Sequence, residues 1–402
     1  MKQPRHKWTF RSRFRANAYG WSASKLAAQR LKEALSEIKA VKRKDPVAAG
    51  EGAIILMERI WPAFAHIDTS SGALGSATDK TVHELTEIIL AAPVDDTERE
   101  QWLDRLQQAT TDDGVDYLGE VRERWGELCG SAERASRAAD ELLPTVRFVW
   151  ERSTGGYFGG TPSCLSCLLA AGRYQELLDL IEDAPFVWWH YRQYGVYALE
   201  AMGKIDEAIE YAEQSRGLND PPALIARACE GILLRAGRVE EAYERYARDA
   251  HQAGTYLATC RSIIRAYPHK EPRTILQDCI DGTPFEPGKW FAAARTLGFL
   301  DLAAELAFRS PVNIATLLRA ARDFSDKNPT FTRSAATAAL HWMSQGQYYE
   351  ITGLDVLQAR KLALDAAQAE DEEGIQEETS RYIAQLAESD ATDEFVRKIL
   401  RG

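Results

Sequence analysis

The chain has 402 residues and a mass of 44.9 kDa, more than one ordinary compact core holds, so we expect a divided or elongated body. Apolar residues make up 45% of the sequence and charged residues 27%, which excludes a largely disordered protein. No apolar run approaches the roughly 20 residues that a membrane-spanning helix needs, so no membrane partner is expected.

Charge is distributed unevenly around the formal net value of −11. Residues 1–44 carry thirteen basic and two acidic side chains, a net charge of +11, whereas the rest of the chain carries −22. Positive charge at the start is not followed by an apolar stretch, so a secretory signal is not expected. The pattern predicts a basic arm attached to an acidic body.

The arm, residues 1–22, combines arginines with aromatic residues. Nucleic acid suits this composition, because guanidinium groups pair with phosphates and aromatic rings stack on bases. The alternative is that the arm lies back on the acidic body with its rings docked. The predicted nucleic-acid contacts are Arg11, Arg13, Arg15, Trp8 and Phe14.

Residues 23–150 are predicted to form a helical N-terminal domain. In "SASKLAAQRLKEALSEIKAVKRK", an apolar face recurs at helical spacing, and "VAAGEGAIILMERIWPAF" and "TVHELTEIILAA" continue the pattern; the residues of that face are Leu26, Leu31, Leu35 and Ile38. The glycine-rich segment 151–161 is the strongest boundary, and we expect a linker there. It lacks the Gly-Lys-Ser/Thr ending of a phosphate-binding loop.

Cys164 and Cys167 form a Cys-x-x-Cys sequence at the start of the next region. A zinc site would want a second pair or nearby histidines, and none stands at ligand spacing. The spacing in "SCLSCLLAAG" also puts both thiols on one helix face, so we predict core packing, with no metal and no cofactor. All six cysteines lie in apolar contexts, which predicts buried free thiols and a cytoplasmic location.

A glycine-centred phrase, "AGRVEEAYERYA" at 236–247, recurs along residues 162–310. Glycine closes a helix in the left-handed conformation, so each copy predicts a helix, a tight turn and a second helix. The recurring glycines are Gly172, Gly203, Gly237 and Gly298, which are 31, 34 and 61 residues apart. A proline-containing turn near residue 268 stands where the long interval lacks a glycine. This period indicates stacked helical hairpins.

The second helix of each copy resembles that of tetratricopeptide-type repeats. The matching positions are Gly203, Ile205, Ala208 and Ala212 in one copy and Gly237, Val239, Ala242 and Tyr246 in the next. The resemblance covers roughly residues 160–310 and implies a divergent α-solenoid, while saying little about ligand. The whole chain is also similar to bacterial proteins of unknown function, which implies no activity.

Residues 311–402 read as a helical C-terminal region with an acidic tail, "AEDEEGIQEETSRYIAQLAES". No sustained strand alternation is visible anywhere in the sequence. The predicted fold is therefore all-α, an α-solenoid of stacked helical hairpins with helical flanks at both ends.

The densest aromatic stretch, "FVWWHYRQYGVY" at 186–197, is the predicted partner-binding surface. Trp188 and Trp189 cannot face the same side of a helix, because successive residues diverge by about 100°. One should be core; the other, with Tyr191 or Arg192, should line the concave face of the array. Ordinary packing between repeats would explain these rings equally well. Arg216 joins the predicted surface as a carboxylate or phosphate contact.

No catalytic motif stands out, since the seven histidines are dispersed and neither Gly-x-Ser-x-Gly nor His-Glu-x-x-His is present. The leading hypothesis is a non-enzymatic scaffold that binds a peptide or protein partner on the concave face of the repeats. Nucleic-acid binding through the arm is the alternative. An enzyme is a third possibility, which would need residues brought together from separate repeats.

Overall fold

The computed structural model describes residues 6–151, 156–215, 222–370 and 373–402. These residues form helices, turns and connecting segments without any strand, and the all-α prediction is confirmed. The chain divides into two compact units, Met1–Pro221 and Pro222–Gly402. None of the described helices combines the length and apolarity that crossing a bilayer takes. The finer domain boundaries predicted from the sequence stay predictions.

The first unit begins with a short 3-10 turn at Thr9–Ser12, followed by eleven helices in its described part. Helices α1, α2 and α3 pack against one another, and from α7 onward neighbours in sequence pack side by side. Residues 152–155 of the predicted linker lie outside the described residues, and the helices before and after it, α7 and α8, are in direct contact. The helices are α1 (Ser24–Lys42), α2 (Pro46–Phe64), α3 (Ala73–Leu90), α4 (Asp96–Asp112), α5 (Gly119–Glu123), α6 (Trp125–Leu128), α7 (Ala132–Trp150), α8 (Thr161–Ala170), α9 (Tyr174–Glu182), α10 (Trp189–Ala201) and α11 (Ile205–Gln214).

The second unit contains a further eleven helices among its described residues, with a 3-10 turn at Pro287–Trp290. Pairs such as α12 with α13 and α18 with α19 form hairpins, and α20, α21 and α22 pack together at its C-terminal end. The helices are α12 (Pro222–Arg235), α13 (Val239–Ala250), α14 (Tyr256–Ala266), α15 (Pro272–Asp281), α16 (Phe291–Thr296), α17 (Leu300–Arg309), α18 (Ile314–Phe324), α19 (Pro329–Ser344), α20 (Gly353–Ala369), α21 (Ile375–Glu388) and α22 (Glu394–Arg401).

The recurring glycines close the first helix of each hairpin, as the sequence predicts. At Gly237 φ is 75°, and the amide of Arg238 donates to the carbonyl of Leu233 at 2.8 Å. The other predicted glycines share the positive φ and the equivalent hydrogen bond, and so does Gly346, which the sequence analysis did not identify. Since a Cβ on Gly237 would meet open space, the backbone conformation alone requires glycine there.

The second helices of the hairpins bury the face that the repeat pattern predicts. In α13, Ala242 and Tyr246 are buried, and in α11 Ala208 and Ala212 are buried. Small residues at these positions let neighbouring helices approach closely. The interval near residue 268 also holds a hairpin, in which α15 starts at Pro272. The relationship to tetratricopeptide-type repeats itself stays a prediction.

Candidate functional site

An aromatic ridge, defined as residues 185–188, projects from the connection between α9 and α10. Pro185 follows the end of α9, and Trp188 occupies the position just before α10. The rings of Phe186 and Trp188 are stacked, with centroids 4.5 Å apart and planes 7° from parallel. Trp188 is 39% exposed and Val187 59% exposed. The ridge therefore presents ordered apolar surface to solvent.

Trp189 is buried, so the two adjacent tryptophans divide between core and surface as predicted. Tyr191 also lies in the core, where its ring centroid is 5.6 Å from Trp150 and 5.5 Å from Trp188. Burial raises the pKa of its phenol. Tyr191 thus supports the ridge from beneath, and its ring offers no surface to a partner.

Arg192 is half-buried and already engaged. Its Nε donates to the hydroxyl of Ser215 at 2.7 Å, and its guanidinium carbon lies 3.9 Å from the centre of the Tyr211 ring. These contacts join α10 to the end of α11, which gives Arg192 a structural role. Arg216, the fourth predicted partner residue, lies outside the described residues.

The arm, where it is described, lies against α1 and α2. Glu37 of α1 accepts the amide of Thr9 at 2.8 Å, and Glu33 pairs with Arg13 at 2.5 Å. On the other side, the amide of Asn17 donates to the carbonyl of Pro62 in α2 at 2.8 Å. The described part of the arm is held by both backbone and side-chain bonds.

Four arm aromatics belong to the core of the first unit. Trp8 is 4% exposed and Phe14 is 1% exposed, and the ring centroids of Phe14 and Phe64 are 5.8 Å apart. Base stacking by Trp8 and Phe14 is therefore not available in this arrangement. The arginines differ: Arg13 is paired, whereas Arg11 and Arg15 are exposed and form no ion pair within the described residues.

The six cysteines are buried and free, so the predicted burial is confirmed. Cys164 and Cys167 lie in α8, and burial raises the pKa of Cys164 to about 12. The thiol of Cys167 faces Cys129, and that contact, together with burial, raises its pKa. Thiols held protonated in this way are poor nucleophiles and poor ligands. The described residues contain no cluster of three or more potential metal ligands.

Three helices of the second unit bring an acid, an imidazole and a hydroxyl together. Glu230 of α12 is buried and accepts a hydrogen bond from Tyr267 at 2.6 Å. The same oxygen lies 3.1 Å from Nε2 of His251, whose Nδ1 is 2.8 Å from the hydroxyl of Ser262. An acidic residue inside the apolar stretch of α12 was the only sequence signal of this network.

The order of carboxylate, imidazole and hydroxyl is that of a nucleophilic triad. However, Ser262 lies within α14, where the backbone amides bond to carbonyls one turn earlier and offer no oxyanion donor. The network has a structural role: it links α12, α13 and α14. The buried carboxylate of Glu230 accepts hydrogen bonds from two donors, His251 and Tyr267. Two effects raise the pKa of Tyr267: its burial, which is the larger, and the hydrogen bond that it donates to Glu230.

No protein-family model matches the sequence, and no curated protein matches it at a significant level. The geometry of the residues is therefore the basis for assigning a function.

Proposed function

We propose that the protein is a non-enzymatic helical-repeat scaffold that binds a protein partner through the aromatic ridge. The observation that carries the proposal is the stacked pair of Trp188, which is exposed, and Phe186, which is half-buried, with the exposed Val187 between them. Aromatic rings fixed before binding lose little conformational entropy, which is why tryptophan is a preferred anchor in interfaces.

The charges near the ridge favour a partner segment that combines apolar and basic side chains. Glu182 and Asp183 immediately precede the ridge and are exposed, and Glu123 faces His190 at 3.2 Å. Residues 45–221 carry fourteen basic and thirty-two acidic side chains. A partner with lysine or arginine beside its apolar anchor would be attracted to this surface and oriented on it.

The cytoplasm is the compartment we propose for this interaction. Six cysteines in the reduced state agree with a reducing environment, since thiols in oxidising compartments are commonly paired. This support is independent of the ridge.

The experiment begins with the photo-crosslinking residue p-benzoylphenylalanine placed at Val187 of the full chain, in an extract of the source cells. We expect one specific adduct, identifiable by mass spectrometry. The matched control carries the same residue at Tyr349, a nearly fully exposed position of the second unit, and should not form that adduct. Absence of a specific adduct at position 187 would contradict the proposal.

The captured partner is then purified and its affinity measured for the wild type and for Trp188→Ala. A central aromatic anchor predicts a loss of roughly 30-fold or more, corresponding to about 2 kcal/mol. Arg192→Glu is a poor probe, because it breaks the contacts of Arg192 with Ser215 and Tyr211. Wild-type affinity in the folded Trp188→Ala variant would remove the ridge from the interface.

A further inference from the structure

One face of α1 forms a basic stripe. Its four cations lie at intervals of seven, seven and four residues, which places them within about 40° of the helix circumference and along roughly 27 Å of its length. The opposite face buries Ala27, Leu31, Ala34 and Ile38 in the core. The cations of the stripe are Lys25, Lys32, Lys39 and Arg43, all exposed.

The arm adds two cations on the neighbouring flank of α1. Its bonds to Glu33 and Glu37 set the arm along the helix in the opposite chain direction, and Arg11 and Arg15 project from it into solvent. Their guanidinium groups form no ion pair in the described part of the chain. The arm and α1 therefore present exposed positive charge on adjacent surfaces.

The carboxylates beside these cations are already engaged. Glu33 pairs with both Arg13 and Arg30, and Glu84 of α3 pairs with Lys39 at 2.9 Å. Glu37 accepts hydrogen bonds from the arm backbone. Arg13, Arg30 and Lys39 are thereby paired. The described residues form no ion pair with five other exposed cations of this region, which are Arg11, Arg15, Lys25, Lys32 and Arg43.

Trp21 is the one arm aromatic that the described structure leaves in solvent. It is 71% exposed and stands just before α1, four residues from Lys25. Its carbonyl accepts the amide of Asp68 at 2.9 Å, which fixes the backbone that carries the indole. An exposed indole on an anchored backbone beside a line of cations is the combination that stacks a base while phosphates are held.

We propose that this basic face, defined as Arg11, Arg15, Lys25, Lys32 and Arg43 with Trp21, binds single-stranded nucleic acid. A linear row of cations matches a linear polyanion, and the indole adds the stacking contact that single strands offer. An anionic membrane fits less well, because Leu31 and Ile38 are buried in the core and the half-exposed Leu26 of α1 offers little apolar surface for insertion. The face is separate from the aromatic ridge and does not depend on it.

The test measures binding of the full chain to fluorescent oligo-dT and oligo-U by anisotropy, with polyphosphate as a base-free polyanion. The triple variant Arg11→Ala, Arg15→Ala, Lys32→Ala should bind the oligonucleotides at least ~10-fold more weakly. The slope of log affinity against log salt should fall in magnitude by about 2, since each phosphate contact contributes roughly 0.7 for a single strand. Trp21→Ala should weaken oligonucleotide binding by ~10-fold and leave polyphosphate binding unchanged.

The matched control removes the same charge from exposed arginines of the second unit, as Arg261→Ala, Arg265→Ala, Arg319→Ala. It should bind within about 2-fold of wild type if the contacts are local. Equal losses in the two triple variants, or undiminished binding by the first, would overturn the proposal. So would a Trp21→Ala variant that binds oligonucleotides normally, or a preference for phosphatidylserine vesicles over oligonucleotides. Circular dichroism of each variant checks folding.

Discussion

The arm and the aromatic ridge are both rich in aromatic residues, but they differ in how far their rings are buried. In the arm, Trp8 and Phe14 are buried while the charged residues between them face solvent. In the ridge, Phe186 and Trp188 stack on each other and stay accessible. Aromatic density along a chain therefore does not distinguish an anchor for the protein's own core from an anchor for a partner.

The difference comes from what the neighbouring helix provides. Gly52 of α2 has no side chain, and a Cβ at that position would overlap the ring of Trp8. The arm also finds hydrogen-bond partners on α1 and α2. Trp188 contacts the rings of Tyr191 and Phe186 and still remains 39% exposed.

The largest expected effect contrasts two tryptophan truncations. Trp8→Ala removes a buried ring and should lower the free energy of unfolding by about 3–5 kcal/mol. Trp188→Ala loses partial burial and the ring contacts with Phe186 and Tyr191, so we expect a smaller loss of about 2 kcal/mol. Urea denaturation followed by circular dichroism measures both. Similar losses in the two variants would contradict the contrast between a docked arm and an open ridge.

An intermediate effect is expected from filling the space that receives Trp8. Gly52→Ala should cost about 1–3 kcal/mol, because the added methyl group collides with the indole. Adding Trp8→Leu to that variant should recover part of the loss. Gly20→Ala is the matched control, since a Cβ there meets nothing within 4 Å. If Gly52→Ala is as stable as Gly20→Ala, then Trp8 is not seated as described.

The smallest effect concerns the charged anchor of the arm. Hydrogen bonds from Gln29 and Arg30 lower the pKa of Glu33, so its contribution to stability is present above its ordinary pKa and is lost as pH falls through the lowered value. The urea midpoint of Glu33→Gln should lie slightly below that of wild type at neutral pH and coincide with it in acid. If the two urea midpoints still differ in acid, the effect of the substitution does not come from the loss of the charge on Glu33.

Local chemistry made the helices and their turns predictable. Gly203 and Gly237 stand where only glycine takes a positive φ without strain, and the small and aromatic residues after them mark the buried face of the next helix. The sequence predicted that Trp188 and Trp189 would divide between surface and core, but it did so from helix geometry, whereas Trp188 stands before α10 with an extended backbone. The candidate surface was less predictable, because Tyr191 and Arg192 carry side chains that suit a core contact as well as a partner.

What the sequence by itself determined is the all-α character, the period of the hairpins and the positive charge of residues 1–44, because each depends on neighbours within a few turns of chain. Only the tertiary structure decided that Trp8 is buried and Trp21 exposed, and that Glu230, His251 and Ser262 meet. These outcomes depend on the space and hydrogen-bond partners that a distant helix offers. The residues next to a side chain in the sequence do not indicate whether a distant helix will have room for it.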